Sequence, residues 1–199
     1  MIRRAAYESS RCRQVCSALT LSPNDRSSMP RCVAFLRGVS PLNAKMPELK
    51  RGFETAGFAN VKTILSSGNV VFDARAATES SLEQRAEAQM QKLLGRSFYT
   101  IVRPQSFLRN LLDADPFAAF ALPAQAKLVV SFTRLPIEPQ IALPLELGGA
   151  QILSVVGREV FTAYVPNDQG PVFMTLIEKT FGKDITTRTW ETIRRCSSA

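Results

Sequence analysis

The chain is expected to be an α+β protein in which helices cover antiparallel sheets of short strands. Three observations carry that expectation. Short apolar runs of β character alternate with stretches whose apolar residues recur at helical spacing. Glycine or serine-glycine punctuation separates most of these segments. The order strand-helix-strand-strand-helix-strand is then read twice, which is the pattern of two tandem ferredoxin-like (β-α-β-β-α-β) halves.

The elements follow in order. Residues 1–28 stand apart, being rich in Arg and Ser and without a clear period. They read as a disordered tail or as an upstream start assigned in error, since Met29 sits directly before the first strand. Val15–Leu21 is too short and too polar for a secretory apolar region. The first half, residues 29–103, opens with a strand at Cys32–Leu36, ended by Arg37 and Gly38. A helix from Pro47 to Ala56 follows, with proline in its first turn and Leu49 and Phe53 on one face. Val61–Leu65 and Asn69–Phe72 form a hairpin around Ser66-Ser67-Gly68. A helix over Ser81–Leu94 aligns Leu82, Ala86, Met90 and Leu93, and Phe98–Val102 completes the unit.

Residues 104–126 are a connector with one short amphipathic helix (Phe107, Leu108, Leu111, Leu112). The second half, residues 127–199, has strands at Leu128–Phe132, Ile152–Val156 and Glu159–Tyr164, the last two joined by Gly157-Arg158. Ile137–Leu147 is a weak helical candidate interrupted by Pro139 and Pro144. A helix over Val172–Phe181, a strand near Ile185 and a helix from Trp190, with Thr189 as its N-cap, close the chain.

Composition excludes more chemistry than it suggests. The 199 residues include no histidine, which removes Ser-His-Asp and Cys-His nucleophile systems and any His-containing zinc site. Cys12 and Cys16 form one close pair, while Cys32 and Cys196 stand alone, so a four-cysteine zinc pattern is absent. No cofactor is implied, and reduced thiols in a cytoplasmic setting are expected. No run approaches the length of a membrane span. The net charge is +8, and residues 1–28 hold five arginines against two carboxylates. The basic remainder admits a polyanionic partner without requiring one.

The candidate ligand-binding residues are Arg37, Gly38, Lys45, Ser67, Asn69, Arg158, Asn167 and Arg188. Arg37 and Gly38 open a loop that leads through Lys45 to a helix N-terminus, where free N–H groups attract anions. The bland alternative is a simple turn with solvated basic side chains. Ser67 and Asn69 are explained by hairpin geometry as well as by a ligand. Arg158 is a turn residue that could meet an anion. Asn167 lies in a polar loop before the Val172 helix, where capping competes with anion binding. Arg188 precedes the lone Trp190, itself read as a packing anchor.

These readings favour binding of a small anionic ligand. A nucleic-acid module is the first alternative, although the central strand Asn69-Val70-Val71-Phe72 offers a single aromatic where RNA-binding sheets present several. A non-catalytic interaction or dimerisation protein is the second. The residues name no reaction and no oligomeric state.

Three phrases carry a resemblance: Phe35-Leu36-Arg37-Gly38-Val39, then Asn43-Ala44-Lys45-Met46, then Ser66-Ser67-Gly68-Asn69-Val70-Val71-Phe72. Gly157-Arg158-Glu159-Val160, Tyr164 and Thr187-Arg188-Thr189-Trp190 follow in the same order. Together they resemble the uncharacterised bacterial family catalogued as domain of unknown function 1697, from about Pro30 to Cys196. The chain departs from that family's pattern at Ser40-Pro41-Leu42, where a glycine-containing loop is usual. It departs again at Pro171-Val172-Phe173, usually Ser-Lys-Leu, and at Thr189 and Glu191, usually asparagines. The resemblance implies a ferredoxin-like arrangement and no activity.

Overall fold

The structure, a computed structural model, describes residues 29–138, 142–167 and 172–199. The expectation for residues 1–28 lies outside the described residues. In chain order the elements are β1 (Arg31–Leu36), α1 (Met46–Thr55), β2 (Ala59–Ile64), β3 (Asn69–Asp73), α2 (Glu79–Leu94), β4 (Thr100–Pro104), α3 (Gln105–Ala114), β5 (Lys127–Thr133), β6 (Leu145–Leu147), β7 (Ala150–Val156), β8 (Glu159–Tyr164), α4 (Val172–Phe181), β9 (Ile185–Thr189) and α5 (Trp190–Ser197). The fold is mixed α+β with two antiparallel sheets.

The first sheet has the order β2-β3-β1-β4 and the second β6-β7-β8-β5-β9, with every neighbouring pair antiparallel. With β6 set aside, β7-β8-β5-β9 repeats the sequence-relative order of the first sheet.

The helix considered for Ile137–Leu147 is corrected. Its described residues hold no helix, and β6 pairs Leu145 with Ile152 and Leu147 with Ala150. Pro136 and Pro144, with Pro139 between them in sequence, restrict their preceding residues to extended backbone and withhold N–H donors. An edge strand tolerates that composition better than a helix does.

Burial also differs from expectation. Helices were expected to cover one face of the sheets, but the first sheet is buried on both. One face, with Ala34, Leu36, Val70, Phe72 and Val102, packs against Leu49 and Phe53 of α1 and Leu82, Ala86 and Met90 of α2. The other face, with Val33, Phe35, Val71 and Ile101, packs against Val130, Phe132 and Phe161 of the second sheet. Leu108 and Leu111 of α3 and Trp190, Ile193 and Cys196 of α5 complete that central layer. The rings of Phe35 and Phe132 stack with centroids 4.7 Å apart. Each such buried aromatic contributes about 1.5–3 kcal/mol. This double burial explains why β1 reads as an unbroken apolar run instead of an alternating one. On the far side of the second sheet, Leu176 and Ile177 of α4 cover Ile152, Val160 and Ile185.

Two consequences bear on partners. Phe72 is enclosed with Phe53 and Phe58 on the helix side, so β3 offers no stacking platform for bases. The β2 edge is irregular, with a register shift between Ala59 and Lys62, Asn60 at φ +47° and a lysine on the strand. These features blunt edge-to-edge pairing. Among the described residues no helix is long and apolar enough to cross a membrane.

Candidate functional site

The sequence motifs converge, though mainly on one another. Arg188, on β9 of the second half, reaches into the turn between β2 and β3 of the first. Its Nε donates to Asn69 Oδ1, and its Nη2 donates to the carbonyls of Leu36 at 2.7 Å, Ser67 at 3.0 Å and Gly68 at 3.3 Å. Nη1 donates to Thr187 O at 2.8 Å and Thr186 Oγ1 at 3.1 Å. All five guanidinium N–H groups are thereby engaged. Among the described residues the group has no carboxylate partner, and burial pulls its pKa from 12.5 to about 10, opposed by Cys196. The ring of Phe35 lies 5.6 Å beneath it.

Asn69 is fully buried and also donates to Ile64 O at 2.9 Å and to Ser67 Oγ at 3.1 Å. Gly68 holds φ +75°, and a Cβ there would stand 2.8 Å from Val39 Cβ and Cγ2. The glycine is thus required by space as well as by backbone angle.

Arg37 makes a second link between the halves, donating to Ile185 O at 2.5 Å and to Glu178 Oε1 at 2.6 Å. Gly38 turns with φ +74° and open space around it. Lys45 is exposed at the N-cap of α1, and its backbone N–H is taken by Glu48 Oε2 at 3.2 Å. Asn167 donates to Gly148 O at 3.1 Å, and the loop that follows it lies outside the described residues. The eight candidates therefore do not form one site. Ser67, Asn69 and Arg188 meet, Arg37 lies beside Ile185, and Lys45, Asn167 and Arg158 are elsewhere.

Arg158 belongs to a different place, a cleft of about 470 Å³ lined by residues between Glu79 and Tyr99 and between Thr133 and Asp184. Its polar lining includes Glu79 and Glu83 of α2, Tyr99 before β4, Arg134 after β5, Arg158 and Asp184. Leu135, Pro136, Ile137 and Phe181 form an apolar wall. That size and mixture suit a small molecule.

A charged network floors the cleft. Glu79, Glu83 and Glu87 sit four residues apart along one side of α2. Glu79 Oε2 accepts from Arg158 Nη1 at 2.6 Å and Arg103 Nη1 at 3.3 Å. Arg103, fully buried on β4, also bonds Glu159 Oε1 at 2.8 Å and Thr133 O at 2.6 Å. Arg134 pairs with Glu83 Oε2 at 3.1 Å and with Glu87, and it lies 4.2 Å from the centre of the Tyr99 ring. Burial pushes the Glu83 carboxyl above its ordinary value, against the Val102 N–H and the charges of Arg134 and Arg103. Burial likewise raises Glu159, against Arg103 and Arg158.

Most of this was missed in the sequence. The signal was the Glu79-Glu83-Glu87 spacing on a recognised helix, together with an arginine inside the apolar β4 run. Neither is distinctive alone, because their partners lie up to 80 residues away or come from turns. Among the described residues no group of three or more Cys, Asp or Glu converges as a metal ion requires.

The cleft has unused hydrogen-bonding capacity. Arg158 uses Nη1 only and Arg134 uses Nε and Nη2, which leaves Arg158 Nε and Nη2 and Arg134 Nη1 without a protein acceptor among the described residues. The side chains of Arg158 and Arg134 are 32% and 28% exposed. The Asp184 carbonyl accepts from Tyr99 Oη at 3.3 Å, while its exposed carboxylate has no partner among the described residues.

The fold has a solved likeness. A conserved bacterial protein from Streptococcus pneumoniae superposes with a TM-score of 0.60 at 16% identity, over 86% of this chain and 98% of that one. At that identity the likeness speaks for the fold alone. No curated protein matches the chain significantly. Residues 29–161, from β1 to the first residues of β8, match the family described as protein of unknown function (DUF1697), and the chain belongs to that family.

Proposed function

We propose that this protein is a small-molecule binding protein whose site is the cleft between its halves, and that it holds its ligand by an anionic group. The two halves are read as tandem ferredoxin-like units, the second having an edge strand where the first has α1. The sheet orders and the shared central core support that arrangement.

One observation carries the binding reading. Two arginines, each fixed by carboxylates behind it, line one cleft and keep N–H groups without an acceptor among the described residues. Guanidinium forks of this kind match carboxylates and phosphates. The apolar wall of Leu135, Pro136, Ile137 and Phe181 supplies burial for a ligand's hydrocarbon part. Of the eight sequence candidates, Arg158 is the one assigned to this site. Arg188 is assigned a linking role because its donors are already used. The free, buried thiols of Cys32 and Cys196 support a reducing, cytoplasmic setting.

The test is titration calorimetry with short aliphatic and aromatic carboxylates and phosphate monoesters. Binding that persists in high salt and falls at least about tenfold in Arg158→Gln supports the reading. A flat panel, or binding unchanged in that variant, removes the cleft from consideration.

A further inference from the structure

The charges around the cleft say more about its ligand. Resting on the binding reading above, we propose that the ligand is a small zwitterion with an apolar substituent, as in an α-amino acid, its anionic group on Arg158 and Arg134 and its ammonium group on Asp184.

The balance of charge is the first reason. Arg103, Arg134 and Arg158 face Glu79, Glu83, Glu87 and Glu159 in the network, and Asp184 adds another carboxylate at the rim. Carboxylates outnumber guanidinium groups, so a simple anion brings further negative charge into a site that already carries an excess. A zwitterion uses the arginine donors and leaves the net charge unchanged. In a partly buried site, where Coulomb interactions are weakly screened, that difference is large.

The second reason is the placement of unused groups. Among the described residues, donors without acceptors lie on Arg158 and Arg134, and a carboxylate without a donor lies on Asp184. Tyr99 touches both Arg134 and Asp184. Its ring face carries the Arg134 guanidinium at 4.2 Å, and its hydroxyl donates to the Asp184 carbonyl at 3.3 Å. Leu135, Pro136, Ile137 and Phe181 lie on the same cleft and would take the side chain.

Calorimetry on the full chain compares leucine with 4-methylpentanoate and phenylalanine with 3-phenylpropanoate, pairs that differ only in the amino group. At least one amino acid is expected to bind about tenfold or more tighter than its des-amino partner. Asp184→Asn should erase that difference and leave the des-amino acid within about twofold of its wild-type affinity. The Asp184 side chain makes no hydrogen bond or ion pair among the described residues, so the variant should stay within about 2 °C of the wild-type melting temperature. Equal or tighter binding of the des-amino acids overturns the zwitterion and leaves the anion reading standing. A preference that persists in Asp184→Asn overturns the role of that residue. No binding by any of the four up to about 10 mM overturns the zwitterion, while binding of a phosphate monoester in the same cleft would leave the anion reading standing.

Discussion

Replacing Arg188 tests whether this side chain ties the halves together. Its Nη2 and Nε serve acceptors on Leu36, Ser67, Gly68 and Asn69, all in the first half, from a strand of the second. Leu36 and Asn69 are fully buried, so their oxygens would lose a partner out of reach of bulk water. Each stranded buried acceptor costs about 1–3 kcal/mol; the exposed Ser67 carbonyl costs less, and the Gly68 carbonyl keeps its bond from the Leu36 N–H. Arg188→Ala should thus lose about 3–5 kcal/mol, or roughly 8–15 °C in Tm for a chain of this length.

An opposing effect must be weighed. The buried guanidinium has no carboxylate, and removing it also removes the free energy of desolvating a charge. Arg188→Met separates the two, since it keeps most of the stem over Phe35 and discards both charge and donors. If the stranded acceptors dominate, Met loses about 2–4 kcal/mol in urea unfolding. A Met variant as stable as wild type would refute the reasoning and show that the link contributes nothing net. A double-mutant cycle with Asn69→Ala should give a coupling of about 1 kcal/mol or more.

Other outcomes follow from the same geometry. Gly68→Ala should destabilise by about 2–4 kcal/mol, because a positive φ and a collision with Val39 act together, while Gly38→Ala, with open space, should lose only about 1 kcal/mol. Thermal melts of the two variants check the contrast. Arg103→Ala should lose about 3–5 kcal/mol by leaving Glu159 buried without its cation, and Arg103→Met with Glu159→Leu should recover much of that in chemical unfolding. Glu83 has a raised carboxyl pKa, so the folded state holds its proton more tightly than the unfolded state does. Its contribution is therefore most favourable below the ordinary carboxylate range and declines as pH rises through the folded value. Wild type should gain on Glu83→Gln as pH falls from 7 towards 4, measured as the difference between their urea midpoints. The thiols of Cys32 and Cys196, pushed up by burial to about 11, should resist alkylation at pH 8 in native protein, and their peptides should be modified once urea is added.

How much was legible in the sequence depended on the range of the interactions. Helices α1, α2 and α4 and the hairpins announce themselves locally, through proline and glycine at their ends and apolar residues at 3.6 spacing. Thr189 was readable as an N-cap, and its Oγ1 accepts from Thr192 N at 3.2 Å. Strand β4 begins two residues later than Phe98 suggests because its ladder starts where β1 ends, at Leu36 opposite Thr100. The cleft was not legible, since Glu79 meets Arg158 only after both sheets have formed. Ser67 with Asn69, and Arg188 separately, stood out in the sequence, which gave no sign that they form one motif. Their residue types serve a linking network and a ligand site equally well, and only coordinates showed that the donors of Arg188 are used inside the chain.

The central layer sets a limit on how this chain can be divided. Val33, Phe35, Val71 and Ile101 are covered mainly by residues that follow Pro104 in sequence. A fragment ending there would display that greasy face to water and would associate with itself before it could serve as an isolated unit. Under force, in a protease, or during synthesis, the first sheet has no finished form until α5, the last helix, has docked. The protein should therefore unfold as a single cooperative body, with one transition seen by every probe, although its topology reads as a sequence of two.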